Sequence, residues 1–193
     1  MRFVEYVKTF DENYTYVKDE SRDYVHQEGL WHETFQCWLL DEQFVYIQKR
    51  SAGKKDFPGL FDITAAGHIL ATETVEDGIR EVEEELGLAV VLSQLRSKGV
   101  IRDVIELPNF HDYEFANVFL YESTFRASDF SLQVEEVASM HSVRKEDLIQ
   151  LFLQEVDTVT CTNIMDEAFT EIRLSDFVPH DKTYFEEIAY MIG

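Results

Sequence analysis

A mixed α/β (α+β) sandwich around a central β-sheet is the fold class this sequence predicts, and two observations predict it. The middle of the chain is dense in strand signals: TFQCWLL (34–40), QFVYIQKR (43–50), 98–106 and EFANVFLYE (114–122). Helical periodicity is confined to three separate stretches, at 74–86, 145–154 and 182–192. The chain has 193 residues, 45% hydrophobic with 15 Phe and 9 Tyr, enough to bury a core without disulfides. No repeat or Pro/Gly/Ser linker divides it, so a single domain over 1–193 is expected.

Each element has its own warrant. Asp41 and Glu42 stand between the first two strands as a short turn, predicting a hairpin. Gly53, Pro58, Gly59 and Gly67 make 51–67 a loop-rich passage. Over 74–86, at about 100° per residue, Val75, Ile79, Val82 and Leu86 fall on one buried stripe, and Gly87 follows as a C-cap. Residues 134–144 carry no decisive period, whereas KEDLIQLFLQ (145–154) is helical. The last helix, about 182–192, puts Tyr184, Ile188 and Met191 or Ile192 on one face.

Composition narrows the function classes. With 17 basic and 38 acidic residues the net charge is −21, which repels phosphate backbones and excludes a general nucleic-acid polymer as partner. A small phosphorylated substrate then requires divalent cations or a local basic patch to offset that charge. Cys37 and Cys161 fit no metal or redox spacing and read as buried thiols of a reducing compartment. No signal-peptide pattern opens the chain, and no apolar run reaches the ~20 residues of a membrane span. The expectation is a cytoplasmic protein with no membrane partner.

Glu81, Glu84 and Glu85 converge on a second sector of the 74–86 helix, one read as solvent-exposed, while Glu76 and Glu83 lie elsewhere. Spacing alone allows a solvated acidic face. It equally allows a site for hard divalent cations, which take carboxylate oxygens and relieve the mutual repulsion.

The flanks point to the second reading. Residues 67–88, GHILATETVEDGIREVEEELGL, resemble the Nudix box, Gly-x5-Glu-x7-Arg-Glu-U-x-Glu-Glu-x-Gly-U with U aliphatic. Gly67, Glu73, Arg80, Glu81, Val82, Glu84, Glu85, Gly87 and Leu88 match in type. Six residues rather than seven separate Glu73 from Arg80, a departure that leaves the Arg80–Leu88 half intact and puts the place of Glu73 in question. The resemblance implies a Nudix α/β/α sandwich. It also implies an enzyme that hydrolyses a diphosphate linkage in a nucleoside-diphosphate derivative or another small organic diphosphate, and a homodimer is compatible with it. Glu81, Glu84 and Glu85 would bind Mg²⁺, with Mn²⁺ as the substitute, and Gly67 would make a tight turn offering its carbonyl to the metal. Arg80 would hold the glutamates through an ion pair with Glu73 or Glu84, and Glu84 or Glu114 would be the base.

Residues 48–68, QKRSAGKKDFPGLFDITAAGH, are similar to the segment of isopentenyl-diphosphate isomerases, a Nudix branch, in which Arg-x3-Lys-Lys precedes aromatic-Pro-Gly and Cys-Gly-His. That similarity assigns Arg50 and Lys54 to the substrate diphosphate, within a basic patch that includes Lys49 and Lys55. It also implies a second metal site at His32, His68 and Glu114, with His26 and Asp112 as further candidates. The isomerases' catalytic Cys is Ala66 here, which has no proton to give, so isomerase chemistry is not expected. The opposing class is a Nudix-fold sensor that binds a diphosphate without cleaving it. Trp31, Phe57, Phe61 and Tyr113 read as core aromatics, and 123–181 holds no interpretable motif.

Overall fold

The computed structural model describes residues 4–108 and 110–193. An N-terminal hairpin joins β1 (Tyr6–Phe10) to β2 (Tyr16–Ser21). Its turn is fixed by the Asp11 carboxylate, which accepts from the backbone N–H groups of Asn13 and Thr15. Helix α1 (Arg22–Glu28) stops at Gly29, whose φ of 64° suits a residue without a Cβ. Strands β3 (Trp31–Leu40) and β4 (Phe44–Arg50) follow, with short strands β5 (Phe61–Asp62) and β6 (Ala65–His68) after them. A 3₁₀ turn at Glu76–Ile79 leads into α2 (Arg80–Leu86). Then come β7 (Arg96–Leu107), β8 (Phe110–Glu122), β9 (Val137–Arg144) and α3 (Lys145–Phe152). Strands β10 (Val159–Asn163) and β11 (Phe169–Ile172) and helix α4 (Lys182–Ile192) complete the chain.

The sheet is mixed, as expected, with order β11-β10-β9-β4-β3-β1-β2. Strand β8 lies parallel to β3 over ten residue pairs, Trp31↔Tyr113 to Leu40↔Glu122, and antiparallel to β7. The expected hairpin of β3 and β4 forms only at its tip, where Leu39 faces Tyr46 and Leu40 faces Val45. Beyond the tip β3 takes β8 and β6, while β4 takes β9 and β5. The splay follows from burial on both faces: β3 is nearly all apolar at its C-terminal end and needs cover on each side.

Side-chain alternation along the strands makes the layers. Trp38, Leu40, Val45 and Ile47 point into a core closed by Leu148, Leu151 and Phe152 of α3 and Tyr184, Phe185, Ile188 and Ile192 of α4. Phe35, Cys37, Leu39 and Tyr46 point the other way, onto Val82 and Leu86 of α2. Both cysteines are buried free thiols. Among the described residues no helix is long and apolar enough to cross a membrane.

The sequence reading missed β1, β2, α1, β10 and β11, and short strands β5 and β6 lie in the passage it read as loop-rich. Strands β2 and β11 lie at the two ends of the sheet and are largely exposed, so the hydrophobic alternation that announces a strand is absent from them. The undecided stretch 134–144 contains β9. The helix expected over 74–86 is α-helical only from Arg80, because its first turn is wound as 3₁₀ around buried Gly78. A Cβ at Gly78 would clash with the Phe35 side chain and with Ile69. Gly78→Ala is therefore expected to cost about 1–3 kcal/mol through overpacking, measured by denaturant unfolding. An unchanged unfolding midpoint would show that the turn has room to spare.

Candidate active site

Helix α2 packs against β6 at the edge of a cleft of about 580 Å³. Gly67 of β6 lies under the Glu81 carboxylate so closely that any Cβ there would collide with it. Glu85 reaches the same strand: its Oε2 accepts from the Ala66 backbone N–H (3.3 Å) and from Gln48 Nε2 (3.0 Å). Both glutamates thus leave the exposed sector assigned to them from the sequence, with Glu85 only 7% exposed. One helical stripe faces the apolar core, and the adjacent stripe faces a strand and the cleft.

Arg80 organises this corner. Its Nε and Nη2 donate to the two carboxylate oxygens of Glu73 at 2.7 and 3.1 Å, a bidentate pair. Nη1 donates to Glu81 (2.5 Å) and Glu84 (3.1 Å), and Nη2 also reaches the His68 carbonyl (3.2 Å). Glu73 therefore keeps its partner despite the shortened spacing. The 3₁₀ turn takes up the missing residue, and the Leu70 backbone N–H donates to Glu73 Oε2 (2.9 Å), fixing the carboxylate.

Burial pushes the Glu81 carboxyl up to about 7 against the pull of Arg80. Burial, then the charge of Glu81, pushes Glu85 up to about 8. Glu84, half-exposed at the rim, completes the group. Crowded carboxylates that resist ionisation are a donor set suited to hard divalent cations, and the missing Cβ at Gly67 supplies the space they need.

A second cluster lies on the other side of His68. The ligand atoms of His26 (α1), His32 (β3), His68 (β6) and Asp112 (β8) all fall within 4.8 Å of one another. His26 and His68 face each other through their Nε2 atoms at 3.1 Å, and the His32 and His68 rings stack at 5.0 Å. His32 Nε2 stands 3.3 Å from Asp112 Oδ1, yet both atoms are buried without a hydrogen-bond partner. Burial, together with the Arg22 and His32 charges, holds His68 well below its ordinary value and favours the neutral imidazole, the form able to ligate a metal. Two orphaned buried ligand atoms among three histidines and a carboxylate fit a transition-metal ion such as Mn²⁺.

Glu114, expected in that cluster, is set apart from it. Although Glu114 is in register with His32, its Oε2 accepts from Thr34 Oγ1 (2.9 Å) and Gln36 Nε2 (3.3 Å), deeper in the cleft. Burial and the nearby Asp112 charge raise its carboxyl to about 8.

Of the basic patch, Arg50 and Lys54 line the cleft. Arg50 donates to Asp62 Oδ2 (2.8 Å) and the Asp56 carbonyl (2.9 Å), while its Nε is buried without a partner. Lys54 bonds to Glu136, and burial followed by the Arg50 charge pulls its ammonium below the ordinary value. Lys49 alternates to the opposite face of β4, over the Phe61 ring, and Lys55 is largely exposed beside Asp23. Phe61 is core, as expected, but Phe57 lines the cleft at a φ of 52°, packed edge-on against Phe110. Sequence reasoning missed Arg22, Gln36, Asp62 and His180, which line the same cleft. Arg22, Gln36 and His180 sit in segments without a motif, Asp62 holds no motif position in 48–68, and only tertiary folding gathers the four.

The raised carboxyls give a pH signature. At pH 6.5 the unfolded chain's histidines are still about half protonated, and by about pH 7.5 they are largely neutral. His68 and His141, held below their ordinary values mainly by burial, therefore offset only part of the carboxyl effect, and only below about pH 7.5. Glu81, Glu85 and Glu114, at about 7, 8 and 8, and His180, at about 10, then hold protons in the native state that the unfolded chain has lost. Stability falls with rising pH wherever the native state binds more protons. The metal-free protein is expected to melt at progressively lower temperature from about pH 6.5 to 8.5. A flat or rising melting temperature across that window would contradict the burial assigned to these groups.

The sequence and the architecture agree with those of known proteins. The NUDIX domain family matches residues 30–159. An uncharacterized Nudix hydrolase of Clostridium acetobutylicum is 31% identical over 193 residues, covering 94% of each chain. An isopentenyl-diphosphate Δ-isomerase of Cereibacter sphaeroides is 38% identical over 99 residues, 51% of this chain and 55% of the isomerase. In fold, the crystal structure of DR0079 from Deinococcus radiodurans superposes with a TM-score of 0.58 at 19% identity, covering 78% of this chain and 90% of that one. The chain belongs to the Nudix hydrolase family.

Proposed function

We propose that this Nudix hydrolase is a Mg²⁺-dependent enzyme cleaving a diphosphate linkage in a small organic or nucleoside-diphosphate derivative. The observation that carries the reading is the convergence of Glu81, Glu84 and Glu85 with Arg50 and Lys54 on one cleft. It joins carboxylates for a cation to cations for an anion, as a strongly acidic chain needs if it is to hold a phosphorylated substrate.

Glu81, Glu84 and Glu85 would hold Mg²⁺ or Mn²⁺, with the Gly67 carbonyl beside them. Bound there, the ion would supply Lewis-acid charge to the diphosphate and make a water acidic enough to attack phosphorus. Arg80 keeps Glu73, Glu81 and Glu84 in one arrangement, so the carboxylates need no reorganisation when the ion arrives. Arg50 and Lys54 would bind the diphosphate oxygens and stabilise charge on the leaving phosphate, with Arg22 a third cation at the same cleft. Glu114 is assigned the base's role. It is buried, its carboxyl is raised to about 8, and Thr34 and Gln36 orient it. Glu84 is the poorer base because its carboxylate is tied to Arg80. His26, His32, His68 and Asp112 would hold a second, transition-metal ion. Two unpaired buried cysteines fit a reducing compartment, and we place the enzyme in the cytoplasm on that ground.

Ala66 at the isomerases' Cys position offers no acid, which favours hydrolysis over allylic proton transfer. Assaying phosphate and monophosphate products from a panel of organic diphosphates with Mg²⁺ tests the reading. Turnover of at least one member is expected, and binding across the panel with no product would make the protein a sensor instead. Glu85→Gln should lower kcat at least about a hundredfold while the protein still melts cooperatively; an active Gln variant would remove Glu85 from the metal site. Gly67→Ala, which forces the Glu81 carboxylate aside, should weaken Mg²⁺ about ten- to a hundredfold by calorimetry. His32→Ala should release about one Mn²⁺ per chain in metal analysis of protein loaded with that ion, and unchanged content would dismiss the histidine site.

A further inference from the structure

His180 belongs to none of the motifs, yet it lines the cleft beside Arg50 and Asp62. It arrives from the loop before α4, where the backbone N–H of Val178 donates to the Phe61 carbonyl (2.9 Å) and ties that loop to β5. Its Nδ1 stands 2.6 Å from Asp103 Oδ2, and its Nε2 stands 3.2 Å from Asp62 Oδ1. Asp103, on β7, also accepts from the Asp181 backbone N–H (2.9 Å), and the imidazole stacks on Tyr184 at 4.4 Å. The ring therefore has no freedom to turn.

Charge counting fixes its state. An ionised carboxylate only accepts hydrogen bonds, so both ring nitrogens must donate and the ring is an imidazolium. The buried row Arg50–Asp62–His180–Asp103 then holds two positive and two negative charges. Without the imidazolium charge it would hold one uncompensated carboxylate, which a buried site tolerates poorly. Although burial opposes it, the Asp103 and Asp62 charges lift the imidazole to about 10, keeping it charged through the neutral range.

The consequence falls on Arg50. The other arginines and the lysine at the cleft each meet a carboxylate: Arg22 meets Glu5, Lys54 meets Glu136, and Arg80 meets Glu73, Glu81 and Glu84. Arg50 shares its carboxylate, Asp62, with a second cation. It commits one N–H from each terminal nitrogen, to Asp62 and to the Asp56 carbonyl, and leaves Nε unpartnered. We propose that His180 is a positioning residue, whose fixed imidazolium shares Asp62 and so leaves Arg50 oriented and electrostatically available for the substrate diphosphate. This rests on the reading of Arg50 as a diphosphate ligand.

The test is calorimetric binding of methylenediphosphonate, a non-hydrolysable diphosphate, in the presence of Mg²⁺. His180→Gln should weaken it about tenfold, because Asp62 and Asp103 then share Arg50's single charge. Adding Asp103→Asn to His180→Gln restores the charge balance. The carboxamide introduced in place of Asp103 keeps a carbonyl for the Asp181 N–H and offers its own N–H to the amide that replaces the His180 ring. This double variant should bind within about threefold of the wild type. On an Arg50→Gln background, His180→Gln should change nothing further. Wild-type affinity in His180→Gln, or failure of the folded double variant to recover, would overturn the proposal. If His180→Gln does not fold, the double variant set against Asp103→Asn decides: matched, near-wild-type affinities support charge sharing, and weak binding by the double variant alone overturns it. Wild-type affinity in Arg50→Gln would instead bring down the underlying assignment of Arg50.

Discussion

The contact on which the site depends is the close approach of α2 to the backbone of β6. Two carboxylates are pressed against a strand that has no side chain at Gly67 and an Ala66 N–H that donates to Glu85. That approach removes Glu81 and Glu85 from water and lifts their carboxyls to about 7 and 8, so a cation bound there would favour their ionised forms. The apolar stripe of the same helix supplies the force: Val82 and Leu86 are fully buried against Phe35, Leu39 and Ile69. Core packing thus holds together carboxylates that would otherwise separate.

Around that contact the chain divides its charges by location. Its net charge of −21 lies mostly on the surface, but the cleft is lined by both signs, each cation pinned by a carboxylate. Arg80 is the extreme case, bonded to Glu73, Glu81, Glu84 and the His68 carbonyl. A guanidinium committed so fully serves to order carboxylates. Arg50 is committed less fully, with its Nε left without a partner, as suits the opposite purpose proposed for it. The His68 backbone joins the two candidate metal clusters, because its carbonyl faces Arg80 while its ring faces His26 and His32.

The box was legible because its residues are local: Arg80, Glu81, Glu84 and Glu85 lie within two helical turns, so their convergence follows from 3.6-residue geometry. Arg50 and Lys54 were legible for the same reason, four residues apart where β4 runs into the following loop. Glu73 shows where local reading runs out. Its spacing to Arg80 counts one residue short, and only the 3₁₀ winding before α2 shows that the ion pair survives. The separation of Asp112 from Glu114 is likewise beyond the sequence. Both side chains lie on the same face of β8, and which one meets the histidines depends on where α1 places His26.

By itself the sequence determined a mixed sheet flanked by helices, one acidic helix face, a short basic loop and the absence of an acid at Ala66. All are properties of neighbouring residues, carried by periodicity and side-chain chemistry. Tertiary structure alone decided that Glu85 is buried, that Lys49 faces away, and that His180, 118 residues from Asp62 and 77 from Asp103, joins both carboxylates beside Arg50. Such contacts leave no local trace because they are fixed by strand register and layer packing, which no single segment encodes.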